Sequence, residues 1–176
     1  MKIGFCGTMS VGKTTIVNEL KKLPEFNDYN FRTERSKYLM EQGIPLNTDS
    51  TLKGQTIFLA ERSGELMQEN IITDRTVIDV MSFAQCSKSI NYLDKDRFER
   101  FAACLIHGYD HIFYVSPEGV EIEDNGVRET NSQYRKDIDN TIQHFLNKYG
   151  YRIKNLTNLS GSTGERIEKV KQTVFS

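Results

Sequence analysis

Gly7-Thr8-Met9-Ser10-Val11-Gly12-Lys13-Thr14-Thr15 reads G-x-x-x-x-G-K-[ST]. A short apolar run, Ile3-Gly4-Phe5-Cys6, precedes it, and an amphipathic segment from Ile16 to Leu23 follows. Strand, glycine loop and helix in that order are the context that a phosphate-binding loop (P-loop) requires. Gly7 and Gly12 permit the tight turn and bring successive backbone N–H groups onto phosphate oxygens. The helix that starts there points its positive end at the same phosphates. Lys13 is placed to reach the β- and γ-phosphates, and the Thr14 hydroxyl to join a magnesium shell. Gly7, Thr8, Ser10, Val11, Gly12, Lys13, Thr14 and Thr15 are thus the candidate nucleotide-binding set, with ATP and Mg2+ as the implied cofactors.

The 176 residues around this loop suffice for one domain, residues 1–176, with a small lid. Hydrophobic content of 38% and charged content of 27% are those of a globular chain with a real core. A net charge of -1 offers no global attraction to nucleic acid. Cys6, Cys86 and Cys104 have neither paired nor metal-like spacing and read as core or half-buried residues of a reducing compartment. No apolar stretch approaches membrane-spanning length. The first strand begins at the N-terminus, leaving no room for a signal peptide. A cytoplasmic location with no membrane partner is the expectation.

Moving outward, strand and helix patterns alternate. Strands are expected at Lys2 to Cys6, Tyr29 to Thr33, Ile71 to Thr73, His111 to Val115 and Arg152 to Leu156. Helices are expected from Gly12 to Leu23, Glu34 to Gln42, Asp49 or Ser50 to Glu69, Val77 to Cys86, Asp94 to Gly108, Ser132 to Tyr149, and from Ser162 or Thr163 onward. Such alternation implies an α/β, three-layer fold: a five-stranded parallel sheet with helices on both faces. Ligands of such sheets bind at the carboxyl ends of the strands, at a topological switch point.

Four segments fall at those ends. After the third strand, Asp74 can hold magnesium and Arg75 can clamp an acceptor phosphate or the transferring phosphoryl group; the alternative is a turn with a helix-capping Asp. After the second strand, Glu34 is a candidate general base for an acceptor hydroxyl, or else a first-turn carboxylate following a capping Thr33. Arg35 either binds an acceptor phosphate or pairs with Glu34. After the fourth strand, residues 117–135 form the expected lid. Arg128 and Arg135 on it would close over the transferring phosphate, and the acidic run Glu121 to Asp124 would hold a second ion or balance them. A solvated charged loop is the other reading. After the fifth strand, Gly161 and Ser162 are candidates for packing against the nucleotide base, while Ser162 or Thr163 also suits a helix N-cap.

The P-loop, Glu34-Arg35, Thr73-Asp74-Arg75, Glu123-Asp124-Asn125-Gly126-Val127-Arg128 with Tyr134-Arg135, and Leu159-Ser160-Gly161-Ser162 with Glu165-Arg166 together resemble the nicotinamide riboside kinase domain of NadR-type proteins and related small AAA-like P-loop kinases of bacteria and phages. The chain is more distantly similar to deoxynucleoside kinases, whose acidic-Arg-Ser motif here reads Asp74-Arg75-Thr76. The resemblance implies Mg-ATP as donor and a small nucleoside-like or nucleotide-like acceptor. Two other classes remain at this point. One is a kinase of nucleic acid, using Lys88, Lys95, Arg97 and Arg100 interleaved with Phe98 and Phe101. The other is an ATPase or switch that binds a protein partner. A homodimer is compatible with every class.

Overall fold

A computed structural model describes residues 1–33, 35–119 and 131–175. The chain starts with β1 (Lys2–Cys6), continues through α1 (Lys13–Leu20), β2 (Asn30–Arg32), α2 (Ser36–Glu41), α3 (Leu52–Glu65), β3 (Ile71–Asp74), α4 (Val77–Cys86) and α5 (Tyr92–Ala103), and ends with β4 (His111–Val115), α6 (Ser132–Lys148), β5 (Leu156–Leu159) and α7 (Thr163–Val174). All strand pairings are parallel, in the order β2-β3-β1-β4-β5.

Alternating side chains send each central strand's apolar residues into two separate layers. Ile3, Phe5, Ile72, Phe113, Val115 and Leu159 pack with α1 and α7. Cys6, Ile112 and Tyr114 face the opposite way, into a larger core shared with α3, α4, α5 and α6. β1 lies between β3 and β4 although it comes first in the chain. The connections leaving it and returning beside it therefore diverge at its carboxyl end, which is the switch point. Pairing of Phe5 with Asp74 and of Cys6 with Tyr114 brings the ends of β1, β3 and β4 together there.

The expected architecture is present, with local shifts. β5 lies at Leu156–Leu159, not at Arg152 to Leu156. A 3-10 turn at Gly150–Arg152 consumes the earlier residues. The Asn155 carbonyl then accepts from the Ile112 N–H at 2.9 Å, and its side-chain amide donates to the Asp110 carbonyl at 2.9 Å. Pairing with β4 thus starts late, with buried Leu159 opposite Val115. α3 is capped by Thr51, whose side chain accepts from Gly54 N–H at 3.1 Å, rather than by Asp49 or Ser50. α5 starts two residues early, because Asn91 caps it. Met67 and Phe101 are exposed, and so is Cys104, expected to be at least half-buried. Among the described residues, no helix is long and apolar enough to cross a membrane.

Candidate active site

β1 delivers the chain into the phosphate loop. Gly7 has φ 152°, and a Cβ there would lie 2.7 Å from the Val115 carbonyl oxygen. Gly12, at φ 88°, is the residue from which α1 springs. Both are positions that an L side chain would strain. Lys13 is 6% exposed and folds back over the loop, its ammonium donating to the carbonyls of Gly7 at 2.6 Å and Thr8 at 2.7 Å. Burial lowers its pKa, and the charge of Arg75 lowers it further, against the opposing carboxylates of Asp79 and Asp74. Thr8 and Ser10 are buried and Thr14 is half-buried beside them, whereas Thr15 is exposed on the outer side of α1. The Thr8 hydroxyl donates to the Arg135 carbonyl at 3.0 Å, so its side chain ties the loop to α6.

The β3 end faces this loop. Thr14 Oγ1 donates to Asp74 Oδ2, while Asp74 Oδ1 is buried and has no hydrogen-bond partner among the described residues. An orphaned buried carboxylate oxygen beside a threonine hydroxyl fits a magnesium ion, whose other ligands would be water and phosphate oxygens. No group of three acidic, histidine or cysteine ligands occurs among the described residues. Arg75 has φ 84°, unusual for a non-glycine residue, and such strain clusters at functional sites. Its N–H donates to the Phe5 carbonyl at 2.9 Å, and its guanidinium lies 4.8 Å from the Phe83 ring centroid.

Arg75 also joins two cavities. On one side it completes a polar cradle formed by residues 9–14 and Asp74. On the other it lines a narrow, mainly apolar pocket with Ser36, Leu46, Asn47, Gln55, Phe58, Val80 and Phe83. Gln55 is buried there on α3, with Phe58 one turn on.

The remaining expected residues divide. Arg135 lies against the phosphate loop, Nε donating to the Met9 carbonyl at 3.2 Å and Nη2 to the Ser10 carbonyl at 3.4 Å. Ser162 caps α7 in a reciprocal box with Glu165, and Gly161 precedes it at φ 85°. Arg35 pairs with Glu61 at 3.2 Å and stacks on Tyr38. Glu34, Arg128 and the run Glu121 to Asp124 lie outside the described residues. On α5, Phe98 is buried, Arg97 sits 3.9 Å from Asp94 and Arg100 3.0 Å from Asp96, so acids of the same helix offset the supposed basic face.

Three further residues take part to which the sequence assigns no role. Asp79, fully buried on α4, accepts from Gly7 N–H at 3.1 Å and from the N–H and hydroxyl of Thr76 at 2.7 and 2.9 Å. Its signal was the Thr76-x-x-Asp79 capping box. Arg62, 1% exposed on α3, bonds Glu65 at 2.6 Å and lies 3.4 Å from the Asp74 carbonyl. Burial and the neighbouring Glu65 act on it in opposite directions, and the carboxylates hold it charged. Arg166, 4% exposed on α7, donates to the carbonyls of Val11 at 2.7 Å and Ser116 at 3.3 Å.

A family model described as an AAA domain matches residues 2–166. The chain belongs to this AAA-domain family. A search of curated proteins finds no match. Among solved structures, the AAA-domain chain is similar to deoxyadenosine kinase from M. mycoides with bound products, at 20% identity and TM-score 0.68, covering 99% of this chain and 98% of that one. It is also similar to a NadR protein in complex with NR, at 17% identity and TM-score 0.75, covering 99% of this chain and 51% of that one. A second NadR structure, with NAD and AMP-PNP, gives 15% identity and TM-score 0.69, covering 99% of this chain and 49% of that one. These likenesses establish the fold of P-loop kinases for the family member described above.

Proposed function

We propose that this chain transfers the γ-phosphoryl group of Mg-ATP to a hydroxyl of a nucleoside-like acceptor. The observation that carries the reading is the position of Arg75, which lines the phosphate cradle and the adjoining apolar pocket at once. Donor and acceptor would then meet across one guanidinium, as phosphoryl transfer between two small molecules requires. A nucleoside is favoured over a nucleotide because Arg75 is the single cation among the described lining residues, and the nearby Arg35 is engaged by Glu61. The Gln55 amide can donate to and accept from a base edge, and Phe58 and Phe83 offer apolar faces. The nucleosides and nucleotides held by the deoxyadenosine kinase and NadR structures support the class of substrate.

In this reading Lys13 neutralises charge on the β- and γ-phosphates, and Thr14 with Asp74 holds the ion. Bound magnesium supplies charge neutralisation at the phosphates. Arg75, Arg128 and Arg135 add positive charge around the transferring group. Glu34, assigned from the sequence, takes the acceptor proton. Gly7, Thr8, Ser10, Val11, Gly12 and Thr15 contribute the loop, and Gly161 and Ser162 the flank of the base.

The test is ADP release against a panel of nucleosides, nucleoside monophosphates, nicotinamide riboside and DNA ends, with Lys13→Ala as blank. Nucleosides should be the acceptors, and Gln55→Leu should raise the acceptor KM roughly tenfold or more while the ATP KM stays put. ADP formation that is the same with and without every acceptor would remove the transferase reading.

A further inference from the structure

Five consecutive carbonyls of the phosphate loop are held by three cationic side chains. Lys13 takes those of Gly7 and Thr8, Arg135 those of Met9 and Ser10, and Arg166 that of Val11. In a trans peptide the carbonyl of one residue and the N–H of the next point in opposite directions, and no peptide bond among the described residues is cis. Holding a carbonyl therefore fixes the direction of the N–H that follows it. Arg135 and Arg166 come from α6 and α7, which pack on opposite faces of the sheet.

Arg166 is the less ordinary of the two. It is 4% exposed, no carboxylate among the described residues forms an ion pair with it, and its Nε is buried with no hydrogen-bond partner there. Its nearest candidate, Glu165, is turned back onto Ser162 at 2.7 and 2.8 Å. A buried cation without its anion is a poor stabiliser of an empty protein. The missing negative charge is what a bound polyphosphate would bring to the loop that Arg166 touches.

We propose that Arg166 is a positioning residue: from α7 it fixes the Val11–Gly12 peptide plane so that the Gly12 N–H faces the phosphates, and its own charge is balanced when a polyphosphate occupies the loop. The same side chain reaches the Ser116 carbonyl at the end of β4 and sits four residues after Ser162. It thus links the β5–α7 turn to the cradle. The inference rests on the reading that this loop binds a triphosphate.

The experiment measures binding of Mg-ATP and of Mg-tripolyphosphate by calorimetry, together with the melting temperature of the ligand-free protein, for the wild type, Arg166→Met and Arg166→Lys. Both ligands should bind the Met variant about tenfold or more weakly, because tripolyphosphate reports the cradle without a base. The Lys variant should fall between, since its ammonium keeps the charge but lacks the planar fork whose two nitrogens reach Val11 and Ser116 separately. Ligand-free melting temperatures should stay within about 4 °C of wild type. A residue that merely holds the fold would behave in reverse, with lower melting temperatures and unchanged affinity in the folded protein. That result, or failure of both variants to fold, would overturn the proposal. A wild type that binds Mg-ATP without phosphorylating any acceptor would defeat the transferase reading alone, and a wild type that binds neither ligand would remove both.

Discussion

At Asp74 one buried oxygen decides what the chemistry can be. Its partner oxygen accepts from Thr14, while Oδ1 faces no donor among the described residues. Replacing it by Asn keeps the shape and removes the charge that would hold a divalent ion. Asp74→Asn is expected to lower kcat by about a hundredfold or more and to move the magnesium dependence of the rate to higher concentration. Initial rates across a magnesium titration check it, and an unmoved midpoint would take Asp74 out of the ion's shell. At this scale the sequence was informative wherever a motif compresses chemistry into adjacent residues, as in Gly12-Lys13-Thr14 and Asp74-Arg75. It was silent on Arg62, and it offered Arg166 only as part of a family-like motif, with no role attached. Each of these acts on a carbonyl of another segment, and a carbonyl carries no residue identity for a pattern to match.

The element that locks the site is α4. Its capping carboxylate, Asp79, serves the helix start through Thr76 and the phosphate loop through the Gly7 N–H. In Asp79→Asn one of these acceptor sites becomes an NH2 group facing donors. The expected loss is about 2 kcal/mol, or a fall in melting temperature of about 4–8 °C for a chain this size. Nucleotide affinity should fall with it, because the loop's first amide loses its anchor. A melting curve and a nucleotide titration on the same sample check both, and a variant with wild-type affinity would confine Asp79 to capping. Elements were legible from periodicity, yet β5 was displaced by four residues. Ile153 and Leu156 look like strand residues, but the 3-10 turn and the bonds of Asn155 to Ile112 and Asp110 set where pairing can begin. Register of an edge strand depends on its partner, and Ile112 pairs with Leu156 across a span that local patterns do not cross.

Over the whole molecule, alternation of strands and helices was enough to give the layers, since parallel sheets buried on both faces leave few other solutions. The pocket proposed for the acceptor was not legible in the same way. Its lining is drawn from α2, the turn before α3, α3 itself, the β3 end and α4, segments that only the folded core brings together. Arg128, expected on a lid, and Glu34, expected as a base, lie outside the described residues.

The sheet order has one more outcome, for how the molecule is made. β1 precedes every other strand in the sequence, yet its two neighbours are residues 71–74 and 111–115, and the Met1 carbonyl accepts from the Ile71 N–H. At ordinary translation rates of about 5–20 residues per second, β1, with Ile3, Phe5 and Cys6 destined for the core, waits several seconds for a companion. A stalled nascent chain ending near residue 100 should be readily degraded by added protease at its amino end, whereas one released at full length should resist. Protection of the short chain would mean that β1 finds a temporary shelter, such as a chaperone, during synthesis.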